Sequence, residues 1–134
     1  MFSLDDKISA VSDEVVRWPL CRVLLMRDKT YPWLMLVPAR EGARDLHSLS
    51  KQDQLLAMGE ITRASKVLEQ LFSAYKINVA ALGNVVDQLH IHIIARSLDD
   101  PAWPAPVWNH APAVDYTDRE RQEMIETLRQ AFSD

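Results

Sequence analysis

Two histidines, His90 and His92, stand two residues apart in the stretch Gln88-Leu89-His90-Ile91-His92-Ile93-Ile94-Ala95-Arg96. Large apolar side chains (Leu89, Ile91, Ile93, Ala95) alternate there with Gln88, His90, His92 and Arg96. A period of two is the pattern of a β-strand, whose successive side chains point to opposite faces. The β-branched residues suit that conformation. One face then belongs to a core, and the other carries an amide and two imidazoles in a row, each about 7 Å from the next. A neutral imidazole is at once a nucleophile, a hydrogen-bond donor and a metal ligand. A lone histidine on a strand reads most simply as a buried structural residue. A pair at i, i+2, entered from a Gly83-Asn84 turn, points to function.

The segment resembles the signature of the histidine-triad (HIT) family, His-φ-His-φ-His-φ-φ with φ apolar. Gln88 takes the first histidine position, His90 the middle one and His92 the last, and Ile91, Ile93 and Ile94 match apolar positions. The departure is Gln88. The resemblance implies that His90 attacks a nucleotide at its α-phosphorus, and that water or another acceptor then takes the nucleotide from the nucleotidyl-histidine. Imidazole suits this work because it attacks without first losing a proton. A backbone carbonyl accepting from its other nitrogen would fix the tautomer.

In the same resemblance His92 donates to a phosphate oxygen as charge builds in the transition state. The Gln88 amide donates and accepts but carries no charge and shuttles no proton, which leaves it phosphate positioning rather than acid–base work. Related proteins place a turn amide near the α-phosphate. Asn84 corresponds to one of two such family positions, and free N–H groups in its turn would make an anion nest. Asn also serves turns for backbone reasons alone. Asp28, just after the first apolar run, stands where HIT proteins hold the ribose hydroxyls with a carboxylate. Trp103 and Trp108 lie where such chains fold a C-terminal segment over the pocket, and His47 and His110 match no motif position.

The elements that must position these residues follow from the rest of the chain. Residues 4–16 are mixed, with a helical turn around residues 5–10. Residues 20–26 and 33–37 are apolar runs joined by the polar turn Arg27-Asp28-Lys29-Thr30, which predicts an antiparallel hairpin. Ser50-Lys51-Gln52-Asp53 resembles a capping box. It opens a stretch in which Leu55, Met58, Ile61, Ala64, Val67, Leu68, Leu71 and Phe72 recur at three- and four-residue steps, an amphipathic helix of about six turns. Residues 77–82 make a third strand and the histidine stretch a fourth, after a turn at residues 83–87. Residues 97–113 read as a loop rich in Pro and Trp, and Thr117-Asp118-Arg119-Glu120 caps a last helix bearing Met124, Ile125, Leu128 and Phe132. Hairpins need no crossover, so the sheet should be antiparallel and the fold class α+β. The HIT resemblance implies the same: an antiparallel sheet of about five strands with one long helix and a C-terminal helix.

Length and composition set the outer bounds. The 134 residues suit a single domain spanning 1–134, and 48% hydrophobic with 25% charged residues is an ordinary globular balance. A formal charge of −4 without a basic run argues against a nucleic-acid backbone as main partner. The lone Cys21 excludes an internal disulfide and fits a reducing compartment. No apolar run reaches membrane-spanning length, and the acidic start is unlike a signal peptide, so a cytoplasmic protein is expected.

The leading expectation is a HIT-type hydrolase or nucleotidyl transferase acting on a nucleoside polyphosphate or phosphoramidate. Small bacterial diadenosine-polyphosphate hydrolase-like proteins resemble it most. It would work without a cofactor, a divalent cation entering only as a substrate complex, and the resemblance allows a homodimer. A second reading, prompted by Gln88, is a catalytically weak nucleotide-binding or sensor protein. A third is a zinc site on His90 and His92, which lacks a third ligand at close spacing, no Cys, Glu or Asp following before Asp99.

Overall fold

The computed structural model describes residues 1–134. After a short helix α1 (Asp6–Ala10) come strands β1 (Ser12–Arg17), β2 (Cys21–Met26) and β3 (Trp33–Pro38). A 3-10 turn at Leu46–Ser48 leads into helix α2 (Lys51–Phe72), then β4 (Lys76–Ala80), β5 (Ile91–Arg96) and helix α3 (Asp118–Ser133). The five strands form one sheet in the order β1-β2-β3-β5-β4, and every neighbouring pair is antiparallel. The α+β expectation with an antiparallel five-stranded sheet is what the chain adopts.

Strand alternation divides the apolar residues between two faces. On one, Val23, Leu25, Leu34, Leu36, Ile91, Ile93 and Ala95 meet Ala57, Ile61, Ala64 and Leu68 of α2 and Leu128 and Phe132 of α3. The opposite face carries no long helix. One half of it, around Leu24, Met35 and Val37, is covered by Ile8 of α1 with Phe2 and Leu4 ahead of it. The other half, around Trp33 and Ile94, is covered by Tyr31 and by Ala102, Val107 and Trp108 of the 97–113 loop. The histidine side chains belong to this second face.

Both long helices begin at their expected caps. Thr117 and Glu120 make the full reciprocal box at the start of α3. At α2 the box is only half made: the Ser50 hydroxyl accepts from Asp53 N, but the Asp53 carboxylate turns away to Arg40. Aspartate is one methylene short of the usual Glu, and a guanidinium is a stronger partner than an amide.

Three strand expectations need correction. β1 was hidden in the mixed segment, because an edge strand carrying Ser12, Asp13, Glu14 and Arg17 lacks the apolar density of its neighbours. The third strand runs 76–80 rather than 77–82. The histidine strand starts at Ile91, not at Gln88. Its pairing with β3 begins at Leu36↔Ile91 and its pairing with β4 at Ala80↔His92, so nothing continues the ladder beyond. Leu89 N instead donates to the Ala43 carbonyl in the connection after β3. The 81–90 connection is opened by Gly83 at φ +70°, a conformation that favours glycine.

Candidate active site

His92 sits inside β5 and is 6% exposed, while His90, half-buried, lies just ahead of the strand. Their ring centroids are 5.0 Å apart with the planes at 74°, so both imidazoles lie on the face opposite α2, between its two coverings. The apolar residues that alternate with them, Ile91 and Ile93, are fully buried under the helices. Period two therefore puts the histidines where the sequence implies.

Hydrogen bonding fixes each ring differently. His90 Nδ1 is 2.7 Å from the backbone carbonyl oxygen of Gln88. A carbonyl only accepts, so Nδ1 carries the proton and Nε2 of the neutral ring holds a free lone pair. His92 has the reverse arrangement. The indole Nε1–H of Trp33 donates to His92 Nδ1 at 3.0 Å, and an indole is a donor only. Nδ1 is therefore unprotonated, and the neutral ring carries its proton on Nε2. Burial, and then the neighbouring His90, push the His92 pKa down to about 4, which agrees with the indole bond in keeping this ring uncharged at neutral pH. No buried side-chain nitrogen or oxygen lacks a partner, and His92 Nε2 has none within the protein, so that nitrogen is not sealed from solvent.

The result is a complementary pair: one imidazole with an unpartnered lone pair, the other with an unpartnered N–H. Aromatic rings wall it. Trp108 meets His92 edge-on at 5.0 Å and Trp33 at 5.8 Å, and Trp33 meets His92 at 5.7 Å. The loop bearing Trp108 is fastened by Arg96, which is 1% exposed. Its guanidinium donates to both Asp100 oxygens, to the Asn78 side chain and to the Ala105 carbonyl, and lies over the Tyr31 and Trp103 rings. Burial alone would raise the Asp100 carboxyl. The Arg96 bonds and the Ser97 and Trp103 N–H groups outweigh it and hold that carboxyl below its usual range.

The remaining sequence candidates separate. Gln88, like His90, precedes the β5 ladder, and Leu89 between them packs in the helix-side core. The Gln88 Oε1 accepts from Asp5 N and its Nε2 donates to the Ser3 carbonyl, both at 2.8 Å. Asn84 is exposed in the turn after Gly83, with no side-chain bond holding it. Asp28 is 6% exposed, and its Oδ1 accepts from Thr30 N and Val114 N, at 3.1 and 3.3 Å. These two bonds fasten its turn to the segment before α3, and Oδ2 has no hydrogen-bond partner within the protein. Asp28 also adds to burial in pushing the Tyr116 phenol up to about 12. His47 and His110 are exposed and bond to neither imidazole. No three His, Cys, Asp or Glu side chains converge as metal ligands. Cys21 is raised by burial first and by Glu60 second, which makes it packing rather than a reactive thiol.

Trp33 and Arg96 escaped the sequence reading as site residues. Trp33 carried a signal: it is the one polar-tipped side chain in an otherwise aliphatic run, and a buried indole N–H needs an acceptor. Arg96 carried one too, since a strand alternation ending in a charge on the histidine face calls for a partner.

An antiparallel sheet helix-packed on one side, with paired imidazoles between two loop coverings on the other, defines the histidine-triad class of fold and site. The HIT domain family model matches residues 9–98, and the chain belongs to the HIT family. A histidine triad protein of Bradyrhizobium japonicum is 40% identical, with 98% of each chain covered and a TM-score of 0.95. One of Marinobacter aquaeolei VT8 is 40% identical over 99% of this chain and 97% of that one, with a TM-score of 0.96. One of Sinorhizobium meliloti 1021 is 35% identical over 97% and 96%, with a TM-score of 0.94. Comparison with curated proteins gives no match. The family is, in general, one of nucleotide-binding proteins, hydrolases and transferases.

Proposed function

We propose that this protein is a HIT-type nucleotide hydrolase or nucleotidyl transferase in which His90 is the nucleophile. The observation that carries the reading is the His90 Nδ1–H bond to the Gln88 carbonyl, which leaves Nε2 as the free lone pair. In the proposed reaction Nε2 forms a bond to the α-phosphorus of a nucleoside polyphosphate or phosphoramidate. The bond to the leaving group breaks, and its electron pair departs with that group, which is protonated from solvent. The positive charge gained by the ring is stabilised through Nδ1–H by the carbonyl. His92 Nε2–H donates to a non-bridging phosphate oxygen, and because the ring is neutral it does so without first losing or gaining a proton. Water then attacks the phosphorus and gives up its proton to solvent, and the P–N bond breaks with its electron pair returning to Nε2 of neutral His90. Asn84, exposed in the turn before the motif, joins the phosphate contacts in this reading.

The chemistry asks for no resident metal, since the nucleophile is an imidazole rather than a bound hydroxide. We also take the protein to be cytoplasmic and to pair with itself. Leu55 and Met58, 77% and 61% exposed on the outer side of α2, supply apolar surface for such a contact. A light-scattering mass of one chain would remove the dimer. Diadenosine polyphosphates are the first substrates to try.

One observation favours the second reading, a weakly catalytic binder or sensor. The side chain at the first motif position is bonded to Ser3 and Asp5 and brings no titrating group to the site. Rapid-quench mass spectrometry with a nucleotide panel decides. The enzyme reading expects a nucleotidyl adduct on His90 and, in folded His90→Ala, turnover near background with nucleotide binding retained. An adduct on His92, or full activity in His90→Ala, would sink the assignment, and binding without any product would select the sensor.

A further inference from the structure

The aim of His90 depends on a carbonyl that no strand holds. β5 pairs from Ile91 onward, so Gln88 and His90 both lie ahead of the ladder. A carbonyl in an unpaired connection would let the imidazole swing and exchange tautomers. The structure shows what holds it. The Gln88 amide lies against the backbone on either side of Leu4, accepting from Asp5 N and donating to the Ser3 carbonyl. On the other side of the Gln88 carbonyl, Leu89 N donates to Ala43 O at 3.0 Å.

The segment that receives the clasp is itself fixed. The Asp5 carboxylate accepts from Lys7 N and caps α1, and Leu4 and Ile8 pack with Leu24, Met35 and Val37 of the sheet. A continuous path thus runs from the sheet through residues 3–8 to the Gln88 side chain, the Gln88 carbonyl, the Nδ1–H of His90 and the Nε2 lone pair.

We propose that Gln88 is a positioning residue for His90, its side-chain clasp on residues 3–5 fixing the carbonyl that sets the tautomer and direction of the imidazole. The proposal rests on His90 being the nucleophile and adds a role for the segment ahead of α1, which becomes part of the active-site frame. It also accounts for the residue type. An amide presents its oxygen and its N–H side by side, the spacing needed to meet a C=O and an N–H that flank one residue. The two nitrogens of an imidazole diverge, so a histidine at this position could make one of the two bonds but not both. Gln88 in this chain works behind the nucleophile rather than on the phosphate.

Gln88→Met keeps the length of the side chain and removes both bonds. Gln88→Glu keeps the acceptor for Asp5 N and loses the donor to Ser3. Gln88 is half-buried, so both variants should fold. Two readouts are taken on each. Imidazole nitrogen NMR of the free protein should show the Nδ1–H form of His90 in the native chain and a mixture of tautomers in both variants. Steady-state kinetics should show kcat falling by about ten- to a hundredfold in Gln88→Met, the scale of a nucleophile misplaced by an ångström or less, with KM changing less than about threefold. The NMR arm needs no substrate. If it behaves as stated while no nucleotide is turned over, the positioning holds and the enzyme reading fails. An unchanged His90 tautomer in both variants, or an altered tautomer with kcat intact, would overturn the proposal.

Discussion

Replacing Trp33 by Phe removes the one donor that fixes His92 while keeping an aromatic ring in β3. The indole bond at 3.0 Å serves only the neutral imidazole, since a protonated Nδ1 would face a second donor. A bond of this kind is worth about 0.5–1.5 kcal/mol net, and one pKa unit corresponds to about 1.4 kcal/mol. Its loss should therefore raise the His92 pKa from about 4 by roughly half a unit to one unit, still short of 6.5 because burial and His90 remain. The effect on stability has a definite sign. Between about 4 and 6.5 the unfolded chain binds the His92 proton and the native chain does not, so this group makes stability rise with pH across that window. The contribution is fully present above 6.5 and is lost as pH falls toward 4, over a span of at most roughly 3.5 kcal/mol. In Trp33→Phe the window narrows and the span shrinks by about 0.5–1.5 kcal/mol. Two-dimensional proton–nitrogen NMR reads the tautomer and midpoint of His92 directly, free of the carboxylates that titrate in the same range. A midpoint that stays put or moves down in the variant, or a native His92 protonated at Nδ1, would refute the reasoning.

Glu60→Ala should cost roughly 2–5 kcal/mol in urea denaturation, because the buried carboxylate takes both Leu20 N and Cys21 N and their N–H groups would lose their only acceptor. A loss below about 1 kcal/mol would mean that water replaces it. Exhaustive chelation should leave turnover of a substrate that needs no divalent complex unchanged, and stoichiometric metal lost together with activity would contradict the direct imidazole attack.

The fold was legible wherever side-chain pattern reports burial. α2 announced itself by apolar residues at helical steps, and α3 by a cap whose two side chains both found their partners. The β2–β3 hairpin was plain because both strands are covered on two faces. β1 was not, since a polar edge strand is specified by the ladder it joins and not by its own alternation. At the site, His90 and His92 could be placed together because alternation is local. The role of Gln88 could not, because its partners lie more than eighty residues earlier and are backbone atoms, which any sequence could supply. The bond from Val114 N to Asp28 was hidden for a related reason: a carboxylate in a turn looks the same in sequence whether or not a segment far along the chain donates to it.

Arg96 ends the strand that His92 occupies, and it rivets the Trp108 loop to that strand. His92 and the roof of the site thus hang from one six-residue beam in the interior of the sheet, flanked by β3 and β4. A shift of β5 therefore carries His92 and its aromatic canopy together, whereas His90, ahead of the strand, is also tied through Gln88 to residues 3–5. The opposite wall, residues 2–8, packs on the neighbouring strands β2 and β3 and reaches His90 through the Gln88 side chain and carbonyl. Adaptation to a bulkier or slimmer ligand on that side therefore also touches the aim of the nucleophile, and the two do not change independently.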